Sequence, residues 1–323
     1  MSKYEVLIGD CISSMKRMQD QSVNCCVTSP PYFGLRDYGV DGQIGVEQSP
    51  VEYVTNMVSV FREVRRVLRD DGTLWLNIGD SYARTGGTDR KVSDTAKVGS
   101  TRNTMRQMSD RTSNAAAMGL KEKDLIGIPW MLAFALRADG WYLRQEIIWH
   151  KPNPMPESVK DRCTKAHEQI FLLTKSSRYY FDSEAMKEDA VGGQTGKAAS
   201  FKREGSKREQ VIPGQGYGTH RPERDDVAYN GEKRNRRSVW SVATRPYKGA
   251  HFATFPPALI EPCILAGSPV GGVVLDPFGG SGTTAGGAVA HGRKAVICEL
   301  NSEYGALVPD RVSSIVKSIK GLK

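Results

Sequence analysis

A chain of 323 residues, 39% hydrophobic and 25% charged, is globular in bulk and long enough for one large α/β domain, or for such a domain with a small insert. No apolar run reaches bilayer-spanning length, and Met1–Val6 lacks the charged-then-apolar layout of a signal peptide, so a soluble, cytoplasmic protein with no membrane partner is expected. The net charge of +9 resides in two polar stretches, with seven Lys/Arg against three Asp/Glu in 81–120 and fifteen against ten in 176–250. Positive charge gathered in this way suggests an anionic polymer as partner; the alternative is a pair of solvated loops.

The elements follow in chain order. Tyr4–Ile8 is a short apolar run that ends at Gly9-Asp10, and Ser22–Thr28 is a β-rich run that ends at Ser29-Pro30-Pro31. Two consecutive prolines cannot continue a central strand, so the chain leaves the sheet there. Pro50–Arg69 has helical period, with Val54, Met57, Val58, Phe61, Val64 and Leu68 on one face. Asp70-Asp71-Gly72 ends that helix, with Gly72 suited to a left-handed cap, and Thr73–Ile78 reads as a buried strand. Residues 81–120 are polar and aperiodic, as expected of a mobile insert. Pro129–Arg137 reads as helix, and Trp141–Trp149 and Gln169–Thr174 as strands. Polar composition returns over 183–240. Pro257–Ala266 then reads as helix, Gly272–Leu275 as strand, a small-residue segment to about His291 as helix, and Lys294–Glu299 as strand. The β–α alternation at both ends predicts a mostly parallel sheet with helices on both faces.

Two segments carry chemistry. In Val274-Leu275-Asp276-Pro277-Phe278-Gly279-Gly280-Ser281-Gly282-Thr283-Thr284 a strand runs through a glycine-rich turn into a helix, where backbone N–H groups can approach a ligand closely. No Lys follows the glycines as in a P-loop, and the spacing differs from that of nicotinamide-binding turns. The next strand ends in Glu299, where a carboxylate can accept hydrogen bonds from ribose hydroxyls. The second segment, Thr28-Ser29-Pro30-Pro31-Tyr32, offers a hydroxyl, a stiffened backbone carbonyl and an aromatic ring, parts that suit a planar ring bearing an amine. The six cysteines, Cys11, Cys25, Cys26, Cys163, Cys263 and Cys298, lack C-x-x-C pairs and zinc-ligand spacing, so free thiols and no metal site are expected.

Together the two segments resemble the amino-methyltransferases of DNA, in which an S/D/N-P-P-Y/F/W loop is catalytic and D-P-F-x-G-S-G-T-T binds the cofactor. The order, catalytic loop first, resembles the β class of these enzymes, and Ser-Pro-Pro-Tyr looks most like the N4-cytosine methylases. The resemblance implies a Rossmann-like α/β fold dependent on S-adenosyl-L-methionine. It implies a methyltransferase domain of 1–182 and 251–323, with target recognition in 183–250. Ser29, Pro30, Pro31 and Tyr32 would be catalytic. Asp10, Cys11, Phe252, Thr254, Asp276, Pro277, Phe278, Gly280, Ser281, Gly282, Thr283 and Glu299 would bind cofactor. Arg234, Arg236 and Arg237 are candidates for DNA contacts, as are His150 and Lys151 beside the target pocket. Double-stranded DNA is the implied partner, a cognate restriction endonuclease a further one, and the chain a monomer or homodimer of bacterial, archaeal or phage origin.

The implied reaction is direct displacement at an exocyclic amine on a flipped base, without a metal. An N6-adenine methylase of the same fold and a catalytically idle nucleic-acid-binding protein are the alternatives. C5-cytosine chemistry would need a thiol nucleophile, and Cys263 lies in a predicted helix rather than in a catalytic turn.

Overall fold

The computed structural model describes residues 3–35, 39–83, 119–190, 233–244 and 255–321. Phe252, Thr254 and most of the 81–120 insert lie outside them. Two compact units divide the chain: Met1–Ala185 with Ser238–Lys323, and Met186–Arg237.

The larger unit holds an eight-stranded sheet. Its strands are β1 (Tyr4–Ile8), β2 (Val23–Thr28), β3 (Leu68–Ile78), β4 (Tyr142–His150), β5 (His167–Thr174), β8 (Val239–Ser241), β9 (Val273–Asp276) and β10 (Lys294–Glu299). Its helices are α1 (Cys11–Lys16), α2 (Pro50–Val67), α3 (Ile128–Ala138), α4 (Pro257–Gly267), α5 (Thr283–Ala290) and α6 (Ser302–Gly321). The strand order is β1-β10-β9-β2-β3-β5-β4-β8. From β1 through β3 every pairing is parallel; β5 runs antiparallel to β3 and β4, and β8 is parallel to β4. The expected mostly parallel α/β sheet is therefore the observed one.

Chain order reverses between β9 and β2, since β9, β10 and β1 extend the sheet one way and β2 and β3 the other. In open α/β sheets a ligand crevice forms outside the carboxyl ends of the strands at such a switch point. Both sequence segments singled out above leave the sheet there, Ser29 from β2 and Pro277 from β9.

Local chemistry accounts for the flanking helices. Ser49 caps α2 by accepting from the Glu52 amide at 3.2 Å, and Glu52 accepts from the Gln48 amide at 3.2 Å. The buried face of α2 is Tyr53, Met57, Val60, Phe61, Val64 and Val67, so Val54 and Val58 are only half-buried. This face is rotated from the expected one because Tyr53 turns inward, where its hydroxyl donates to the Pro31 carbonyl at 2.8 Å. Gly72 is not a left-handed cap. The helix ends at Leu68 in extended backbone and β3 starts at once. Gly72 lies inside β3, opposite a register shift in β2, where a Cβ would stand 2.7 Å from Leu68 Cδ2. Helix α6 has no counterpart among the expected elements; it packs Val308, Val312 and Ile315 inward.

The smaller compact unit ends at Arg237, and Val239–Ser241 joins the main sheet as β8 beside β4. Within the smaller unit, β6 (Glu188–Asp189) pairs antiparallel with β7 (Lys233–Arg234). No helix among the described residues is long and apolar enough to cross a membrane.

Candidate active site

A cavity of about 620 Å³ opens at the carboxyl ends of the strands. It gathers Asp10 and Cys11 from the end of β1, Ser29–Tyr32 after β2, Asn77 from β3, Pro277, Phe278 and Gly280 after β9, and Glu299 from β10. Trp149 and Lys151 on the β4 side and Glu168 on β5 complete it.

The glycine turn forms one wall. Gly282 adopts φ +92° as the N-cap of α5, and a Cβ there would lie 2.8 Å from Val308 Cγ1, so both backbone and packing require glycine. Glu299 ties the turn down, its two oxygens accepting from the Gly280 and Asn301 amides, each at 2.8 Å. Burial raises the Glu299 carboxyl above its ordinary range, and these amides oppose the shift. Asp10 caps α1 through the Ser13 amide at 2.8 Å. Burial disfavours its charge, but the Ser13 hydrogen bonds outweigh it and hold the carboxyl below its usual value. Carboxylates at Asp10 and Glu299, the Phe278 ring and a side-chain-free turn match a ligand with hydroxyls, an aromatic base and a compact polar tail. Phe255, the first described residue after Phe252 and Thr254, also lines the cavity.

The structure moves several expected cofactor contacts behind this wall. Asp276 is 1% exposed and does not line the cavity. It accepts from Thr28 Oγ1 at 2.7 Å, Thr284 Oγ1 at 2.7 Å and the Phe278 amide at 3.0 Å. Asp276 thus joins the start of the Ser29–Tyr32 loop to the glycine turn across the switch point. Ser281 and Gly282 at the end of the turn and Thr283 at the start of α5 are likewise buried and do not line the cavity.

The second wall is the Ser29–Tyr32 loop. The Tyr32 ring rests against Gly79, where a Cβ would lie 2.7 Å from Tyr32 Cε2. Gly79→Ala therefore displaces the ring; turnover should fall roughly tenfold, below the hundredfold loss of a full 1 Å displacement. Cofactor affinity, measured by calorimetry, should stay at the wild-type value. The Tyr32 hydroxyl donates to Glu168 Oε2 at 2.6 Å, and Ser29 Oγ donates to the same hydroxyl at 3.4 Å. Burial, reinforced by the Glu168 charge, pushes the Tyr32 phenol well above its ordinary value and keeps it protonated. Asn77 Nδ2 donates to Glu168 Oε2 at 3.1 Å, and Lys151 Nζ pairs with Glu168 Oε1.

His150 does not form the pocket wall. Side chains alternate along β4, so Trp149 and Lys151 face the cavity while His150 turns away and meets Ser241 Oγ on β8 at 2.9 Å. Lys151 Nζ sits 4.4 Å from the centre of the Trp149 ring. Lys165, which also lines the cavity, donates to the Asp80 carbonyl at 3.1 Å, and burial lowers its ammonium. Glu168, Asn77 and Lys165 were not among the expected site residues. The one cue to Glu168 was an acid at the start of the apolar run Gln169–Thr174.

In the smaller unit, Arg234 and Arg237 reach Glu188 at 2.9 and 3.3 Å, and Arg236 Nε donates to the Met186 carbonyl at 3.3 Å. Cys263 lies in α4, buried and away from the cavity; Cys11 and Cys298 do line it, but burial pushes the Cys11 thiol up to about 12 and raises that of Cys298 as well, the opposite of an activated thiolate. None of the described residues forms a cluster of three or more His, Cys, Asp or Glu able to hold a metal.

A hydroxyl–carbonyl–aromatic loop facing a glycine turn braced by Glu299 fits the site of an S-adenosylmethionine-dependent methyltransferase. The DNA methylase family model matches residues 23–308, and the chain belongs to this N6/N4 DNA methylase family. It is 46% identical over 308 residues to the type II methyltransferase M.SmaI of Serratia marcescens, covering 95% of this chain and 90% of that one. It is 47% identical over 304 residues to M.Cfr9I of Citrobacter freundii, covering 94% and 86%. In fold it is similar to the PvuII DNA methyltransferase (cytosine-N4-specific), with a TM-score of 0.61, 17% identity and coverage of 99% and 93%. It is also similar to a DNA modification methylase of Thermus thermophilus, solved with S-adenosyl-L-methionine, with a TM-score of 0.58, 22% identity and coverage of 97% and 94%. The protein is thus a DNA methyltransferase that uses S-adenosylmethionine.

Proposed function

We propose that this DNA methyltransferase modifies the exocyclic N4 of cytosine, on a base flipped from the duplex into the cavity. The carrying observation is the loop proposed to meet the amine: a Ser29 hydroxyl stands at its head, and the Glu168 carboxylate is set back behind the Tyr32 hydroxyl. When bound, S-adenosylmethionine supplies a methyl group on a sulfonium centre; Glu299, Asp10, Phe278 and the Gly280 turn are the residues that would hold it. The chain's own residues do the rest. Tyr53 occupies the Pro31 carbonyl, and the preceding carbonyl, at Pro30, is assigned to the target amine. Ser29 Oγ accepts the amine's second hydrogen, which favours a pyramidal nitrogen with its lone pair free. Tyr32 stacks on the flipped base. Fixed dipoles and proximity then supply much of the acceleration.

DNA contacts are proposed on each unit. Arg234, Arg236 and Arg237 would reach phosphate or guanine, since a part-exposed ion pair such as Arg237–Glu188, worth about 0–1 kcal/mol, is easily exchanged for phosphate. Lys151 would serve from the pocket wall. A cognate endonuclease is proposed as a functional partner, in line with the type II naming of M.SmaI and M.Cfr9I.

The test is to incubate the protein with labelled S-adenosylmethionine and mixed-sequence duplex DNA, then digest to nucleosides. N4-methylcytosine is the expected product. N6-methyladenine would overturn the base assignment and leave the family untouched; absence of transfer to any DNA would favour an idle binding protein.

A further inference from the structure

Attack by an amine leaves its nitrogen with a proton to shed, and the cavity contains a route for it. Ser29 Oγ donates to Tyr32 Oη at 3.4 Å, and Tyr32 Oη donates to Glu168 Oε2 at 2.6 Å. The three oxygens form a chain from the catalytic loop to the carboxylate, and Glu168 Oε2 is a closer acceptor for the Tyr32 hydroxyl than Asn77 Oδ1 at 3.4 Å. The terminus is held on both oxygens, Oε2 by Asn77 Nδ2 at 3.1 Å and Oε1 by the Lys151 ammonium. Burial keeps the Tyr32 phenol neutral, so it passes a proton on without becoming a rival anion.

We propose that Ser29, Tyr32 and Glu168 form a proton relay that drains the target amine during methyl transfer, with Glu168 as its terminus. The inference rests on the amino-methyltransferase reading above. In the transfer, the nitrogen lone pair forms the new N–C bond while the S–C bond breaks, its electron pair staying on sulfur. One N–H bond of the resulting cationic nitrogen then breaks. That proton goes to Ser29 Oγ, the serine's own proton moves to Tyr32 Oη, and the tyrosine's own proton moves to Glu168 Oε2. The base ends neutral, both hydroxyls are regenerated, and Glu168 ends protonated until water in the open cavity removes the proton. Glu168 lines the cavity but is assigned no contact with the amine. It acts through Tyr32, and in that sense it is a positioning residue.

A network that merely held the Tyr32 ring would look the same in a static structure, and Glu168→Gln separates the two. Glutamine keeps the size and an acceptor for the Tyr32 hydroxyl but takes no proton. The site modified in the nucleoside assay is first mapped, and a duplex is then made with 2-aminopurine at the target position to report flipping. Single-turnover transfer, S-adenosylmethionine affinity and 2-aminopurine fluorescence are measured for the full chain. Glu168→Gln should slow transfer about a hundredfold, the lower end of what proton transfer contributes, with cofactor affinity and fluorescence unchanged. Glu168→Asp should recover part of the rate. Tyr32→Phe keeps the ring and cuts the chain, so it should match Glu168→Gln, and the double variant should be no slower than either single one. Tyr32→Phe carries the test alone if Glu168→Gln does not fold. A wild-type rate in either variant, or additive losses in the double variant, would overturn the relay and leave the functional reading standing. Wild-type protein that methylates no amino group in DNA would overturn both.

Discussion

Tyr32→Ala should reduce single-turnover methylation about a thousandfold or more, from the loss of a base–aromatic stack worth roughly 1–3 kcal/mol on top of the about hundredfold loss of the hydroxyl's link to Glu168. S-adenosylmethionine affinity should remain at the wild-type level. The reasoning is geometric. The Tyr32 ring lies on the wall beside Gly79 and its hydroxyl is anchored to Glu168, whereas the glycine turn is held by Glu299. The two walls share one cavity but are braced separately at these points. Isothermal calorimetry with cofactor, run beside a rate measurement, checks both halves. A collapse of cofactor affinity in Tyr32→Ala would mean that the loop holds the cofactor and not the base.

Asp276 should behave differently from a contact residue, because it is the brace between the walls. Asp276→Ala leaves the Thr28 hydroxyl and the Phe278 amide without their acceptor in a buried place, while the Thr284 hydroxyl retains the Val27 carbonyl at 3.3 Å. Each stranded donor costs about 1–3 kcal/mol, so a loss of about 2 kcal/mol or more in unfolding free energy is expected. Cofactor affinity and turnover should fall together, since both loops lose their common anchor. Asp276→Asn keeps acceptor capacity and should retain most of the stability.

The pH dependence gives a sharper signature of the same residue. Burial pushes the Asp276 carboxyl up from 3.8 to about 6, against the opposing hydrogen bonds from Thr28 and Thr284. The folded protein therefore binds this proton more tightly than the unfolded chain does. The stability linked to it is fully present below about pH 4 and is lost as pH rises through about 6, amounting to about 2–3 kcal/mol. Asp276→Asn should remove this component. Denaturant unfolding of wild type and Asp276→Asn at pH 5 and pH 7.5 measures it. An equal pH response in the two proteins would show that the Asp276 carboxyl is not the group responsible.

Much of the scaffold was legible because its signals are local. Tyr4–Ile8 and Lys294–Glu299 were expected as strands with the bounds that β1 and β10 have. Each is a short apolar run closed by a turn residue. Prolines at Pro30 and Pro31 marked where the chain leaves β2, and the glycines after Asp276 marked where it leaves β9. Helix α6 was legible in principle, with Val308, Val312 and Ile315 at helical spacing, but Pro309 interrupts the pattern and hides the helix.

The two walls of the cavity are readable from residue types and spacing, because each is contiguous: a loop of hydroxyl, carbonyl and ring at Ser29–Tyr32, and a glycine turn followed by Glu299. What stands behind them depends on long-range packing. Glu168 meets Tyr32 because β5 runs antiparallel to β3 and brings its start to the carboxyl ends of the parallel strands. Tyr53 reaches Pro31 because α2 turns that face inward. The alternation of β4 selected Trp149 and Lys151 over His150. Asp276, which the motif resemblance places on the cofactor, is drawn inside because β9 and β2 pair at the switch point and the Thr28 hydroxyl donates to it. Strand order and helix rotation are set by burial summed over the whole sheet, and no local pattern encodes them.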